Sequence, residues 1–397
     1  MAERISKRRM LEGAPLQLEI QKVEDLEHEF SVYLSELIAK RLDNIREYGK
    51  KMSIGALVSS LMKSFGEQFY DCFLSLIQQY SIADVEVLSA SGRGKFTTGF
   101  NLALFGPPGT GKTFATCDFI LGNEKEDIPP FGLPGRNRYC GGMTPAMFIR
   151  IGQAYEGRKF NFVIPEFNDF FKYRGMVEPL KLALERKSVS YETAHEVIKP
   201  YKFDCLLSVN YNTSVFEQGY ETTISDPNFS AIEDRMICRL HRLTKERFLR
   251  ITDTMFDFLT EHVDLRSLAR PIRDHLTLVY AAQTKHPLVS EILPIKPVLL
   301  TDEAMEIIKS SVKIFLEYLP GGTVSFSPRI VKKTLQLAST MTLLKYFQYA
   351  DSLPIDKDSL KWAIRIFCEE ASVRSQEKVS PEEVFREIVF RCGLPQN

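Results

Sequence analysis

The stretch NLALFGPPGTGKTFATCDFI, residues 101–120, decides how the rest of the chain is interpreted. It opens with the apolar run 102–105, which has the length and composition of a buried strand. The loop that follows, residues 106–113, meets every fixed position of the pattern G-x-x-x-x-G-K-[ST]. Glycine lets such a loop turn its backbone N–H groups inward around a chain of phosphates, because it permits unusual dihedral angles and close approach. The stretch therefore predicts a nucleotide site between a strand and a helix.

Individual positions of this loop have separate expected roles. We expect Lys112 to reach the β- and γ-phosphates and Thr113 to ligate Mg²⁺, while the following helix presents its positive end to the anion. A plain Gly/Pro-rich turn would not explain a Lys-Thr pair at this offset. The expected ligand is ATP, with Mg²⁺ as its cofactor. The expected phosphate-binding residues are Gly106, Pro107, Pro108, Gly109, Thr110, Gly111, Lys112 and Thr113.

The composition is that of an ordinary globular protein. The 397 residues suffice for two or three domains, and a hydrophobic content of 44% allows a sizeable core. Basic and acidic residues both number 51, which excludes a basic coat over the whole protein but leaves a local basic stripe open. Charge alone therefore neither supports nor excludes a nucleic-acid partner.

Targeting signals and cysteine usage indicate the expected setting. The N-terminus is charged and lacks the apolar segment of a signal peptide. No window approaches the roughly 20 apolar residues that span a bilayer, so we expect no membrane association and a reducing, cytoplasmic setting. The cysteines show no C-x-x-C pair or zinc spacing, and we expect small buried hydrophobic side chains at most of them.

Hydrophobic periodicity divides the chain into three predicted parts. Residues 1–52 are charged and helical in spacing, residues 53–245 alternate strands with helices, and residues 246–397 show helical spacing throughout. We therefore predict a helical N-terminal extension, an α/β core with a parallel sheet flanked by helices, and an all-helical C-terminal domain. A hairpin is predicted in the segment SVSYETAHEVIKPYKFD, residues 188–204.

Polar residues at predicted strand ends are the candidates for chemistry, because ligands of parallel sheets bind at the carboxyl ends of the strands. Glu166 follows the strand 160–164 and is a candidate for polarising water. Pro165 stands where a metal-anchoring acid is common. Asn210 ends the strand 203–210 and is a candidate sensor of the γ-phosphate. The alternatives are a surface helix cap at Glu166 and a simple turn after Asn210.

Two arginines are candidates for balancing the charge that develops on the departing phosphate. Arg235 in SAIEDRMICRLHRL is the better candidate for a finger that enters a neighbouring subunit's site, with Arg239 and Arg242 behind it. Arg329 begins the helix in SPRIVKKTLQLA and is the other candidate. Ordinary solvated surface charge is the alternative for both.

The order of these pieces resembles an AAA+ ATPase module. More narrowly, it is similar to the ATPase domain of minichromosome maintenance (MCM) helicases, over about residues 55–370. Besides the phosphate loop, the segments that carry this resemblance are GGMTPAM, IPEFNDF, MVEPLKLALERKSVSYETAH, LLSVNYN, SAIEDRM, SPRIVKKTLQLAST and DKDSLKWAIRIF. The phosphate loop is specific to P-loop nucleotidases, whereas the MCM likeness is collective.

This resemblance implies an AAA+ core with a C-terminal helical lid, assembled as a homo-oligomeric ring that is hexameric in the family's manner. In such rings both arginines act across the subunit interface. The implied function is ATP hydrolysis coupled to DNA as a helicase, translocase or replication-associated remodeller. A protein partner could be recruited through the N-terminal helices.

The chain also departs from the MCM pattern. MCM-like proteins have Asp where this chain has Pro165. They also have a Lys at the hairpin tip, whereas the corresponding residues 192–195 of this chain contain no Lys and end in His195. Three lysines, at positions 187, 199 and 202, flank the same hairpin. Residues 1–90 leave no room for an OB-fold and a zinc module. Two other functions therefore stay open: a nucleotide-gated assembly scaffold with slow or no hydrolysis, and a protein-remodelling ATPase of the MoxR kind.

Overall fold

The computed structural model describes residues 2–173, 175–192, 197–213, 215–216, 219–220, 227–241, 243–260, 264–375 and 377–396. The helices are α1 (Ala2–Lys51), α2 (Ile54–Phe65), α3 (Phe69–Ser81), α4 (112–121), α5 (Pro145–Ala154), α6 (Val177–Leu184), α7 (Pro227–Glu233), α8 (Lys245–Leu259), α9 (Leu265–Gln283), α10 (Asp302–Glu317), α11 (Arg329–Met341), α12 (Lys357–Ser375) and α13 (Pro381–Arg391). The strands are β1 (Glu86–Ser89), β2 (Gly94–Thr97), β3 (Leu102–Gly106), β4 (Asn137–Tyr139), β5 (Asn161–Ile164), β6 (Ser188–Glu192), β7 (Val197–Lys202), β8 (Leu206–Asn212), β9 (Val215–Phe216), β10 (Gly219–Tyr220), β11 (Ile237–Leu240), β12 (Val298–Leu300) and β13 (Leu353–Pro354).

The central sheet has five strands in the order β11-β3-β8-β5-β4, and every pairing in it is parallel. Strands β3 and β5 are buried along their whole length. Continuous apolar runs of this kind are typical of parallel strands covered on both faces. The predicted α/β class with a parallel sheet flanked by helices is confirmed.

Side chains of β3 alternate between two hydrophobic cores, as the period of a strand requires. Leu102 and Leu104 pack into a core with the N-terminal helices and the C-terminal helices. Ala103 and Phe105 pack on the other face, against residues of α5, α6 and the hairpin β6–β7. The strand therefore lies between two helical layers, and the loop after it emerges at the middle of the sheet.

The long helix α1 is fixed to the rest of the chain by buried ion pairs. Arg138 on β4 contacts both carboxylate oxygens of Glu19 at 2.9 Å. Further along α1, Arg41 donates to Asp274 on α9 at 2.7 Å. Phe30 of α1 lies in the same core as the C-terminal helices. The predicted helical character of the N-terminal segment is confirmed, and the helix shares a core with residues far along the chain.

A second, four-stranded sheet corrects the all-helical prediction for residues 246–397. Its order is β13-β12-β1-β2, with β12 and β13 running parallel to β1 and β2 antiparallel to it. Strands β12 and β13 have three and two residues. Such short segments show no period of their own, and they are strands only because β1, about 200 residues earlier in the chain, supplies the partner.

The predicted hairpin is confirmed, because β6 and β7 pair antiparallel. Its tip, residues 193–196 with His195, lies outside the described residues. The cysteines also behave as expected: six are buried and Cys392 is half-buried. None of the helices in the described ranges combines the length and the apolar character that a bilayer crossing requires.

Candidate functional site

The loop 106–113 leaves the carboxyl end of β3 and leads directly into α4. Gly111 has φ of 84°, in the left-handed region that favours glycine. A Cβ at Gly106 would lie 2.7 Å from both Cβ and the carbonyl oxygen of His241, so this position also excludes a side chain. Both glycines of the motif are therefore required by the backbone, independently of any ligand.

The Lys112 side chain is folded inward across this loop. Its Nζ donates to the carbonyl oxygens of Gly106 at 2.9 Å and Pro107 at 2.7 Å. The residue is only 5% exposed, and burial lowers the pKa of its ammonium group to about 8, an effect that the nearby Glu166 carboxylate opposes. The ammonium also donates to the Thr110 hydroxyl at 3.4 Å, so an anion that binds it would have to replace three existing hydrogen bonds.

The first turn of α4 carries the predicted metal ligand. Thr113 is exposed there. The N–H groups at a helix start have no intrahelical partners, which favours an anion at this end. The next part of the helix, Phe114–Asp118, is π-helical, a feature that is frequent at functional sites.

Glu166 and Asn212 meet at the carboxyl edge of the sheet. Asn212 Nδ2 donates to Glu166 Oε2 at 3.4 Å. Asn168 holds the end of β8 in place, because its Oδ1 accepts from the Asn212 N–H at 2.8 Å and its Nδ2 donates to the Asn212 carbonyl at 2.9 Å. Asn212 also pairs with Gly106 across the sheet, so it ends β8 level with the start of the phosphate loop.

The predicted sensor, Asn210, has a different environment from the one expected. It is 2% exposed, and its side-chain amide bonds the Thr116 hydroxyl of α4 at 2.8 and 3.0 Å. Strand β8 continues for two residues beyond it. Sequence analysis missed Asn212 because it ended the strand too early. The repeated asparagine in VNYN was the available signal, since residues two apart lie on the same face of a strand.

The two predicted arginines converge on one carboxylate, that of Glu185 after α6. Arg235 Nη2 lies 2.6 Å from Glu185 Oε1, and Arg329 Nη2 lies 3.1 Å from the same oxygen. Arg329 also pairs with Asp234 at 3.1 Å. In the described part of the chain, neither arginine bonds to the phosphate loop. The structure therefore brings these two together, but apart from the other predicted site residues.

Burial by itself would raise the pKa of Glu185, but Lys187 and the two arginines outweigh it and hold the pKa below its ordinary value. The Nε of Arg235 is buried and has no hydrogen-bond partner among the described atoms. Behind these residues, Arg239 pairs with Asp71 at 2.6 Å, while Arg242 lies outside the described residues.

Pro165 is buried between the end of β5 and Glu166. It offers no side-chain oxygen where an acidic residue would point toward a metal ion. Across the described residues, no cluster of three His, Cys, Asp or Glu side chains could hold a metal ion. A metal ion at this edge would therefore depend on the ligand for most of its coordination.

Comparison with known proteins does not identify the site. The chain matches no protein-family model and no curated protein. The assignment of the site therefore depends on the loop motif and on the residues that the sheet brings to its carboxyl edge.

Proposed function

We propose that the chain is an ATP-binding and ATP-hydrolysing P-loop protein of the AAA+ kind, most similar in plan to the ATPase domain of MCM helicases. The observation that carries this proposal is the meeting of the phosphate loop with Glu166 and Asn212 at one sheet edge. A loop that only closes a strand–helix turn has no need of a carboxylate and an amide beside it. Hydrolysis needs both a grip on the phosphates and a group that orients water.

Each residue then has a separate role in the reaction. Backbone N–H groups of the loop and the start of α4 bind the phosphates, and Lys112 turns outward to them. Glu166 accepts a proton from the attacking water or orients it, while the Asn212 amide donates to the γ-phosphate or the same water. Asn210, held by Thr116, supports the strand that carries Asn212.

The donor groups at this edge fit a Mg²⁺ ion that takes few of its ligands from the protein. The Thr113 hydroxyl and the Glu166 carboxylate offer oxygen ligands, which Mg²⁺ prefers, and Pro165 contributes none. Nucleotide-bound Mg²⁺ commonly uses one or two protein ligands with phosphates and waters, so Thr113, with Glu166 through water, would hold it. Bound there, the ion would neutralise charge on the phosphates.

The arginine cluster supports a shared site between copies of the chain. Arg235 and Arg329 share Glu185 in one chain, and among the described residues neither bonds to the phosphate loop. In a homo-oligomeric ring, of six subunits in the family's manner, this cluster would face the neighbour's phosphates. The triphosphate would then compete with Glu185 for the guanidinium groups, because both are anions.

DNA is the proposed substrate of the ring, acting through the hairpin β6–β7. Of the three flanking lysines, Lys187 pairs with Glu185 and Lys202 pairs with Asp204 at 2.7 Å, while Lys199 is exposed. Phosphate contacts by lysine make binding strongly dependent on salt. DNA-stimulated hydrolysis should therefore weaken steeply as salt rises. A protein substrate, as in MoxR-like remodelling, would show no such dependence.

A second candidate function is a nucleotide-gated scaffold, in which ATP controls assembly and hydrolysis is slow or absent. Pro165 favours it, because the position that would anchor the metal ion carries no acid. The two candidates predict the same binding of ATP and differ in turnover and in its stimulation by DNA.

The variant Pro165→Asp separates these candidates, with Pro165→Ala as a matched control that removes the ring without adding an acid. We expect the wild-type chain to hydrolyse ATP already, and Pro165→Asp to change turnover by less than about threefold, because phosphates supply most Mg²⁺ ligands. Phosphate release and particle mass, each with and without single-stranded DNA, are the measurements. A rise of tenfold or more from near background in Pro165→Asp alone would favour the scaffold.

The two asparagines of β8 should differ in their effects. Asn212→Ala is expected to lower turnover about 100-fold, the cost of one donor to a developing charge. Asn210→Ala should instead lower the free energy of unfolding by about 1–3 kcal/mol, because it removes both buried hydrogen bonds between the amide and Thr116, whose hydroxyl keeps the Lys112 carbonyl. Steady-state turnover and urea unfolding of both variants check this. Equal loss of turnover in the two would contradict the assignment of Asn212.

A further inference from the structure

The phosphate loop has a contact that its motif does not anticipate. His241, the residue after β11, is fully buried beneath the loop. Its Nδ1 lies 3.3 Å from the Thr110 hydroxyl oxygen, and its backbone N–H donates to the carbonyl of Phe105, just before the loop. The Cβ and carbonyl of the same residue lie close against Gly106. One residue therefore contacts the start and the middle of the loop.

The other side of the imidazole ring is fixed by a buried carboxylate. His241 Nε2 lies 3.0 Å from Asp71 Oδ1, and Asp71 on α3 is itself fully buried. Arg239 of β11 and Arg247 of α8 approach the same carboxylate at 2.6 and 3.4 Å. Burial alone would raise the pKa of Asp71, but His241 and the two arginines overcome it and hold the pKa below its ordinary value. Asp71 is therefore an ionised acceptor.

This arrangement decides which way the ring is protonated. An ionised carboxylate only accepts hydrogen bonds, so Nε2 must carry the proton that faces Asp71. Burial lowers the pKa of His241, although the Asp71 carboxylate acts to raise it. The lowered pKa favours a neutral ring. The Nδ1 of a neutral ring is then an acceptor for the Thr110 hydroxyl. The Thr110 hydroxyl has a single proton, and its alternative acceptor is the carbonyl of Pro107, one of the two carbonyls that hold Lys112.

We propose that His241, oriented by Asp71, is a positioning residue that fixes the phosphate loop through Thr110 in the shape that receives a triphosphate. The inference rests on the proposed function for its effect on ATP, but the contact itself exists without ligand. Because Arg247 reaches Asp71 from α8, the same chain of contacts would connect the position of that helix to the loop. A merely structural histidine would stabilise the protein without favouring one shape of the loop.

A double-mutant cycle tests this proposal. His241→Gln keeps an amide that can reach Asp71 but lacks the group facing Thr110, and Thr110→Val removes the hydroxyl while keeping the branched shape. Each variant should weaken binding of a fluorescent ATP analogue about 3- to 10-fold, the cost of one neutral hydrogen bond. The double variant should be no worse than Thr110→Val alone, because that variant already removes the contact with His241. Thr110→Ser should restore binding.

A control variant and a second readout keep the outcomes distinct. His275→Gln removes another buried histidine, which lies on α9 and bonds the Tyr80 hydroxyl at 2.8 Å. This variant should leave ATP affinity unchanged. Amide hydrogen exchange of residues 106–113 without nucleotide should accelerate in His241→Gln and not in His275→Gln. Wild-type loop exchange in His241→Gln, or additive effects in the cycle, would overturn the proposal. Failure of the wild-type chain to bind ATP, with accelerated exchange in His241→Gln, would instead overturn the proposed function alone.

Discussion

Replacing Glu166 by Gln is expected to lower the turnover of ATP by about 100- to 10,000-fold, the usual contribution of a positioned general base. The glutamine keeps the size of the side chain and can still contact Asn212 Nδ2, but it cannot take a proton from water. ATP affinity should stay within about threefold, because the removed group acts on water in the transition state and not on the bound phosphates. Phosphate release at saturating ATP, together with equilibrium binding, measures both quantities.

The matched control for this experiment is Glu178→Gln on α6. Glu178 is an exposed carboxylate whose ion-pair partner among the described residues is Lys181 on the same helix, at 2.8 Å. Its loss should change neither turnover nor binding, since exposed pairs of this kind contribute little. Turnover in Glu166→Gln equal to that of the wild-type chain would remove Glu166 from the mechanism. A loss of ATP binding in this variant would show that the carboxylate shapes the pocket instead.

Three strands of the central sheet could be predicted from the sequence because an apolar run marks each of them. Strands β3, β5 and β8 each contain such a run, and the loop motif sets the direction of the first. The edge strands β4 and β11 are three and four residues long and lack such a run. The second sheet could not be predicted. Strand β12 is three residues long and pairs with β1, so its conformation is decided by a partner distant in the chain and not by any local period.

At the candidate site, sequence analysis identified the residues whose distance from a motif or an apolar run is fixed. It was incomplete where the pairing of two strands decides which residue reaches the site. The position of Glu166 two residues beyond β5 follows directly from the apolar run before it. Choosing between Asn210 and Asn212 requires the pairing of β8 with β3, which ends level with Gly106. His241 and Asp71 lie far apart in the chain and belong to no motif, so only the fold brings them beneath the loop.

The variant Lys112→Ala is expected to weaken ATP binding about 10- to 100-fold, since charge-assisted hydrogen bonds contribute about 1.5–3 kcal/mol. The ammonium group is the loop's only side-chain cation in the stretch 106–113, and it is positioned to exchange the carbonyls of Gly106 and Pro107 for phosphate oxygens. Lys112→Met serves as the matched variant, because it keeps the apolar stem and removes only the charge. Both variants should lose affinity to a similar extent while remaining folded.

The central claim is that the loop binds the phosphates of a nucleotide. A calorimetric titration of the full chain with ATP, ADP and adenosine in the presence of Mg²⁺ tests it most directly. The account predicts saturable binding of ATP and ADP by the wild-type chain, adenosine at least about tenfold weaker because it lacks charged acceptors, and the loss described above in Lys112→Ala. No saturable binding of ATP at millimolar concentration, or equal affinity in the wild-type chain and Lys112→Ala, would contradict it.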